Sequence, residues 1–159
     1  MQEFTAPLEA ELPETYNTTQ LLLDREAAGW SYPVYTVWDE NAREWIDVSP
    51  ESYVDLARSL ARALVADGLR EGEPVAIMSH TSFEWALLEQ AIWFAGGLSV
   101  PIYETSSAFQ VQWILEDSGA RRVFVENAAC ASVVTRAARD ASLDVRVLRI
   151  DETQPDAVP

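Results

Sequence analysis

Lysine does not occur in this 159-residue sequence; all 11 basic residues are arginine. A phosphate-gripping P-loop lysine and a Schiff-base lysine are therefore both excluded within this chain. Histidine occurs once, as His80, and cysteine once, as Cys130. Those two counts rule out an internal disulfide and a Cys/His zinc site, and they restrict any Ser-His-Asp arrangement to His80. A single cysteine also fits a reducing compartment. The six glycines form no G-x-G-x-x-G after a strand-like run and no G-x-S-x-G elbow. Positive charge is scarce, with 26 acids giving a net charge of −15, which opposes binding to phosphate backbones and anionic lipid and leaves only a local basic patch around Arg121 and Arg122. No apolar run is long enough to span a bilayer, and no basic-then-apolar leader opens the chain. The expectation is a soluble, cytoplasmic protein with no transmembrane segment and no nucleic-acid partner.

What the sequence does contain is alternation. Residues 1–17, acidic and carrying Pro7 and Pro13, read as an extended lead-in. Thr18 and Thr19 are placed to cap a helix over 20–28, closed by Gly29. Two β-prone runs, 33–38 and 44–48, flank a polar turn and predict a hairpin. Ser49 before Pro50 marks a helix start, and Tyr53, Leu56, Ala57, Leu60, Ala61 and Leu64 give that helix one apolar face. Gly68 stops it. A buried strand follows over 73–79, and Thr81 with Glu84 has capping-box spacing for a helix running to Gly96 and Gly97. The pattern repeats with a strand over 98–102, a helix opened by a Ser107–Gln110 capping box, and a strand over 122–125. A helix capped by Asn127 and a strand over 145–150 complete it, and residues 151–159 read as a tail. Strands alternating with amphipathic helices predict an α/β fold, a doubly wound parallel sheet with flanking helices, preceded by a short helix and a hairpin.

Ligands of such sheets bind beyond the carboxyl ends of the strands, which singles out four residues. His80 follows the first of the parallel strands, and Tyr103, Glu104 and Thr105 follow the second; these are the candidates for ligand or domain contact. The alternatives are a turn histidine beside a helix cap and a loop held by its own hydroxyls. Trp85 and Trp93 lie near one face of one helix, so core packing accounts for them more simply than an acyl tunnel does. Glu84 and Glu89 point apart on that helix and do not form a carboxylate pair.

Several segments, in order, resemble the acyl-adenylate-forming (AMP-binding) enzymes. Residues 71–79, Glu-Gly-Glu-Pro-Val-Ala-Ile-Met-Ser, resemble that family's G-D-x-V-A-I strand. Residues 80–85, His-Thr-Ser-Phe-Glu-Trp, are similar to its N-S-x-E-W turn, with His80 in place of the usual Asn. Residues 94–105 resemble A-G-A-V-x-V-P-x-Y-x-T, departing at Gly97 and Leu98, and residues 114–120 resemble I-L-x-D-S-G-A. The Tyr-Glu-Thr-Ser-Ser run at 103–107 is similar to the long-chain fatty acid–CoA ligase (long-chain acyl-CoA synthetase) branch.

The resemblance, over residues 18–150, implies part of the large N-terminal α/β domain of an adenylate-forming enzyme, roughly the first quarter of a typical member. The parent activity it implies is conversion of a fatty acid to its acyl-adenylate and then to acyl-CoA, using ATP, Mg²⁺ and CoA. The family's Ser/Thr/Gly-rich loop ending in Pro-Lys-Gly, its aromatic-Thr-Glu motif, its ribose-binding Asp and its adenylation lysine are not found here. No catalytic, cofactor-binding or metal residue is therefore carried over, and the chain alone is expected to be inactive and to bind no cofactor. Its implied partner is the remainder of the ligase polypeptide. The alternatives are a non-catalytic, free-standing binding or regulatory module, self-associating through exposed apolar surface, and a small flavodoxin-like cofactor binder, which the lack of a phosphate turn disfavours.

Overall fold

The computed structural model describes residues 13–151. The expected lead-in and tail fall largely on residues 1–12 and 152–159, outside the described residues; within the lead-in, residues 13–16 close a turn through the Tyr16 N–H and the Pro13 carbonyl, 2.9 Å apart. In chain order the elements are α1 (Thr18–Ala27), β1 (Tyr35–Asp39), β2 (Glu44–Val48), α2 (Pro50–Ala66), β3 (Pro74–Met78), α3 (Phe83–Phe94), β4 (Leu98–Ile102), α4 (Ala108–Ser118), β5 (Arg122–Val125), α5 (Ala128–Asp140) and β6 (Arg146–Arg149). Two caps sit one residue from where the sequence places them. Asn17, rather than Thr18 or Thr19, caps α1 by accepting from the Gln20 N–H. Ser82, rather than Thr81, caps α3 by accepting from the Trp85 N–H at 3.2 Å, so Glu84 stands in the first helical turn and closes no capping box. A Ser or Asn side chain is short enough to reach the N3 amide, and with several candidates in a row only the direction of the incoming chain selects one. Ser49, Ser107 and Asn127 cap as expected, and Ser107 and Gln110 form the complete capping box.

The four strands β3 to β6 form a parallel sheet in the order β4-β3-β5-β6. Val75 and Ile77 of β3 point to one face and pack with Ala61, Leu64, Leu88 and Ile92 of α2 and α3. Ala76 and Met78 point to the other, against Val111 and Leu115 of α4 and Val134 and Ala137 of α5. Covering both faces explains why β3 is apolar throughout and why four consecutive residues, Val75 to Met78, are fully buried. The fold is doubly wound, as the alternation predicts. Pro101 lies in β4, the edge strand, where its missing N–H costs no ladder hydrogen bond to an outer neighbour.

The two departures from the family pattern have local explanations. A methyl group on Gly97 would lie 3.1 Å from Ile92 Cγ2, 3.2 Å from the Glu73 carbonyl oxygen and 3.3 Å from Leu69 Cδ2; in this chain those two side chains and that carbonyl crowd the space an alanine would use. Leu98 is more than half exposed at the sheet edge, so its exact size matters little to the core.

At the amino end of the sheet, Arg122 is buried and its guanidinium donates to Asp67 Oδ2 at 3.2 Å, to the Asp67 carbonyl at 3.0 Å and to Glu73 Oε1 at 3.2 Å. Arg121 donates to the carbonyls of Leu115 and Ala120. Arg122, one half of the basic patch expected here, is therefore committed inside the fold, while Arg121 stays exposed. Arg122 opens β5, where two carboxylates and a carbonyl engage its guanidinium, whereas Arg121, just before the strand, uses one nitrogen on its two carbonyls.

Candidate functional site

The chain path sets the site. From β3 it crosses by α3 to β4 on one side; from β5 it crosses by α5 to β6 on the other. Strand order thus reverses between β3 and β5, and α3 and α5 lie on opposite faces of the sheet. The loops leaving β3 and β5 lie at that reversal, where open α/β sheets have the crevice that takes ligands. His80 stands on one side of it and Glu126 on the other.

Those two residues stitch the loops together. The Glu126 N–H donates to the Met78 carbonyl at 3.0 Å, and Glu126 Oε2 accepts from the His80 N–H at 3.0 Å and lies 2.7 Å from His80 Nδ1. Asn127 Nδ2 steadies the second carboxylate oxygen at 3.3 Å. Hydrogen bonding to Glu126, reinforced by the charges of Glu126, Glu104 and Glu84, raises the His80 pKa above its ordinary value against a smaller opposing effect of burial. The His80 backbone and side-chain hydrogen bonds lower that of Glu126. Burial, with the Glu126 charge, raises the Cys130 thiol, so the only cysteine stays protonated and unreactive at neutral pH.

His80, with a raised pKa, contributes stability that is full below its ordinary value and is lost as pH rises through the raised one. Glu126, with a lowered pKa, contributes stability that is full above its ordinary value and is lost as pH falls through the lowered one. The latch is complete between about pH 4.5 and about pH 6.5. Because the His80 side chain is 58% exposed, solvent screening keeps it below about 1 kcal/mol. His80 is the only histidine, so its ring protons give one unambiguous NMR signal. Its titration midpoint is expected above that of a free imidazole, and Glu126→Gln is expected to bring it down; an unchanged midpoint in that variant would show that the contact does not hold in solution.

Of the sequence candidates, His80 and Glu104 fall within one electrostatic neighbourhood. Tyr103 does not: it is 82% exposed and lines a separate shallow groove with Phe109 and Trp113, outside α4. Thr105 is exposed in the loop between β4 and α4, whose turn is closed by the Ser106 N–H and the Tyr103 carbonyl. Glu126 escapes a reading of sequence alone because it looks like a loop acid before a helix cap. The register Met78↔Val125 supplies the missing signal, since it puts the next residues of both strands side by side. Trp85 packs against the α2–α3 core as expected. Glu89 accepts from Ser99 Oγ at 3.3 Å, and burial raises its pKa; Glu84 is exposed.

The residues at the crevice do not fit a triphosphate. One carboxylate, Glu126, is bonded to the imidazole and two more, Glu84 and Glu104, act on it through their charge, with no lysine and no Ser/Thr/Gly-rich turn to offer amides. Among the described residues no three His, Cys, Asp or Glu side chains converge as a metal site, and no helix is long and apolar enough to cross a membrane.

Comparison with known proteins fits this arrangement. The chain is 33% identical over 158 residues to the long-chain-fatty-acid–CoA ligase FadD15 of Mycobacterium bovis, a match covering 99% of this chain and 26% of that protein. It thus spans about a quarter of the length of these curated relatives. Among solved structures, the Mycobacterium tuberculosis fatty acyl CoA synthetase superposes with a TM-score of 0.67 at 26% identity, covering 84% of this chain and 26% of the other. The N-terminal domain of FACL13 from the same organism gives 0.69 at 26% identity, covering 86% and 34%. With the profile of the AMP-binding enzymes matching residues 24–158, and with a doubly wound sheet of the same build, this chain belongs to the AMP-binding enzyme family.

Proposed function

We propose that this chain supplies the opening α/β layer of an ATP-dependent long-chain fatty acid–CoA ligase and performs no adenylation by itself. The reading rests on one observation: similarity to a long-chain ligase along 99% of the chain, spanning about a quarter of that relative. In the parent, ATP with Mg²⁺ activates the carboxylate, and CoA accepts the acyl group. The residues of this chain would hold the sheet on which the activating groups are mounted. None of them supplies the cation or the amide-rich loop that phosphate requires, and the acidic crevice supports that division of labour. The same acidity counts against a flavodoxin-like cofactor binder.

The test is fatty-acid-dependent exchange of labelled pyrophosphate into ATP. The chain alone is expected to show none above buffer, and exchange by this polypeptide would overturn the proposal. A second reading, a non-catalytic binding or regulatory module, is favoured by one feature: both faces of the sheet are closed by this chain's own helices. A cooperative unfolding transition for the isolated chain would support it, and a state without fixed tertiary packing would remove it.

A further inference from the structure

We propose that the trough between β1 and the start of α3 is a docking site for an extended peptide segment bearing arginine or lysine, which adds to β1 as a third strand. The trough has a volume of about 860 Å³, within the roughly 300–1,000 Å³ range of ligand clefts. Four consecutive residues of β1, Tyr35 to Trp38, line it. Side chains of a strand alternate between faces, so a wall built from four in a row runs along the edge of the strand, and Trp45 of β2, the cross-strand partner of Trp38, extends it onto one face. That edge is open: β1 pairs only with β2 among the described residues. An extended chain laid there meets unpaired backbone donors and acceptors, the basis of strand addition.

The chemistry of the walls selects the occupant. Trp38 and Trp45, cross-strand partners, meet edge to face with ring centroids 5.5 Å apart; Phe83 and Trp85 line the trough from α3, and the Phe83 ring meets that of Tyr35 at 5.6 Å. Trp45 is 67% exposed. The carboxylates lining the trough are Glu40 and Glu84, and its one basic group, His80, is already matched by Glu126. Aromatic faces flanked by carboxylates attract a guanidinium or ammonium. The chain uses the same contact internally, with the Arg25 guanidinium 4.2 Å above the Trp30 ring. A second copy is a poor occupant, since a net charge of −15 makes two copies repel.

Fluorescence anisotropy of a labelled short peptide alternating arginine with valine tests this directly. Binding is expected to weaken on adding salt and to be absent for the same peptide with glutamate replacing arginine. Because an acidic protein attracts basic peptides non-specifically, three changes locate the site: Trp45→Ala, Glu40→Gln with Glu84→Gln, and N-methylation of alternate peptide amides. Each is expected to weaken binding by about 3- to 10-fold, with circular dichroism showing an intact fold. Unchanged affinity on all three would place the peptide elsewhere and overturn the proposal. So would equal binding of the glutamate peptide, or a concentration-dependent dimer that Trp45→Ala dissolves.

Discussion

Tyr53→Ala is expected to destabilise the chain by about 3–5 kcal/mol, the cost typical of removing a buried aromatic side chain. Tyr53 is 5% exposed on α2. Its ring lies 5.1 Å from that of Tyr35 and 6.1 Å from that of Phe83, and its hydroxyl donates to the Ala86 carbonyl at 3.0 Å. One side chain thus joins the hairpin, α2 and α3, so truncation removes the surface on which the hairpin rests. Tyr53→Phe keeps the ring and deletes only the hydrogen bond, for an expected loss of about 1 kcal/mol. Urea unfolding followed by circular dichroism separates the two variants, and a loss below about 1 kcal/mol for the alanine form would mean that the hairpin is not docked through this ring. Burial raises the Tyr53 pKa above its ordinary value, with smaller contributions from Tyr35 and Glu89. A raised pKa contributes stability that is present below the ordinary tyrosine value and lost as pH rises through the raised one. The wild-type chain should therefore lose stability above about pH 10 more steeply than Tyr53→Phe does.

The second large effect is expected at the amino end of the sheet. Arg122→Met retains most of the side chain's length but deletes the three hydrogen bonds that tie β5 to the end of α2 and to the residue before β3. Breaking a fully buried pair costs about 3–5 kcal/mol. Here about 2–3 kcal/mol is expected, because the carboxylates are a third exposed and keep other partners: Asp67 retains Arg146, and Glu73 accepts from the Arg70 N–H. Arg122→Lys should fall between, since an ammonium keeps the charge but not the planar fork that reaches Asp67 and Glu73 together. A denaturation midpoint for Arg122→Lys equal to that of Arg122→Met would show that geometry, and not charge, carries the contact. An unchanged midpoint in both variants would refute the contact itself. Acid should weaken the same cluster, because hydrogen bonding from Arg146 lowers the pKa of Asp67, and that contribution is lost as pH falls through the lowered value.

The candidate site was only half legible in the sequence. His80 could be chosen because a strand followed by a helix start locates the carboxyl end of a strand, and those signals are local. Its partner could not, because Glu126 lies 46 residues away and becomes a neighbour only through the β3–β5 register. Tyr103 and Glu104 are adjacent in sequence yet serve different surfaces, because the loop between β4 and α4 turns one outward past α4 and leaves the other within range of His80. Arg121 and Arg122 show the reverse case. Both read as free charge, yet Arg122 proves to be buried and paired while Arg121 stays exposed, since a one-dimensional pattern carries no record of where carboxylates and helix-end carbonyls will stand.

Sequence alone determined the element types, the parallel α/β class and the family pattern, because each of these is written in residues a few positions apart: apolar spacing along a helix, an unbroken apolar run in a covered strand, and caps beside them. It also determined that no lysine-dependent chemistry resides in this chain. Tertiary structure alone decided the strand order, and with it the reversal between β3 and β5, the His80–Glu126 latch, the sequestered Arg122 and the open edge of β1 above its aromatic wall. These depend on which distant segments become neighbours, a choice made by burying the two faces of one sheet and matching the charges at its ends.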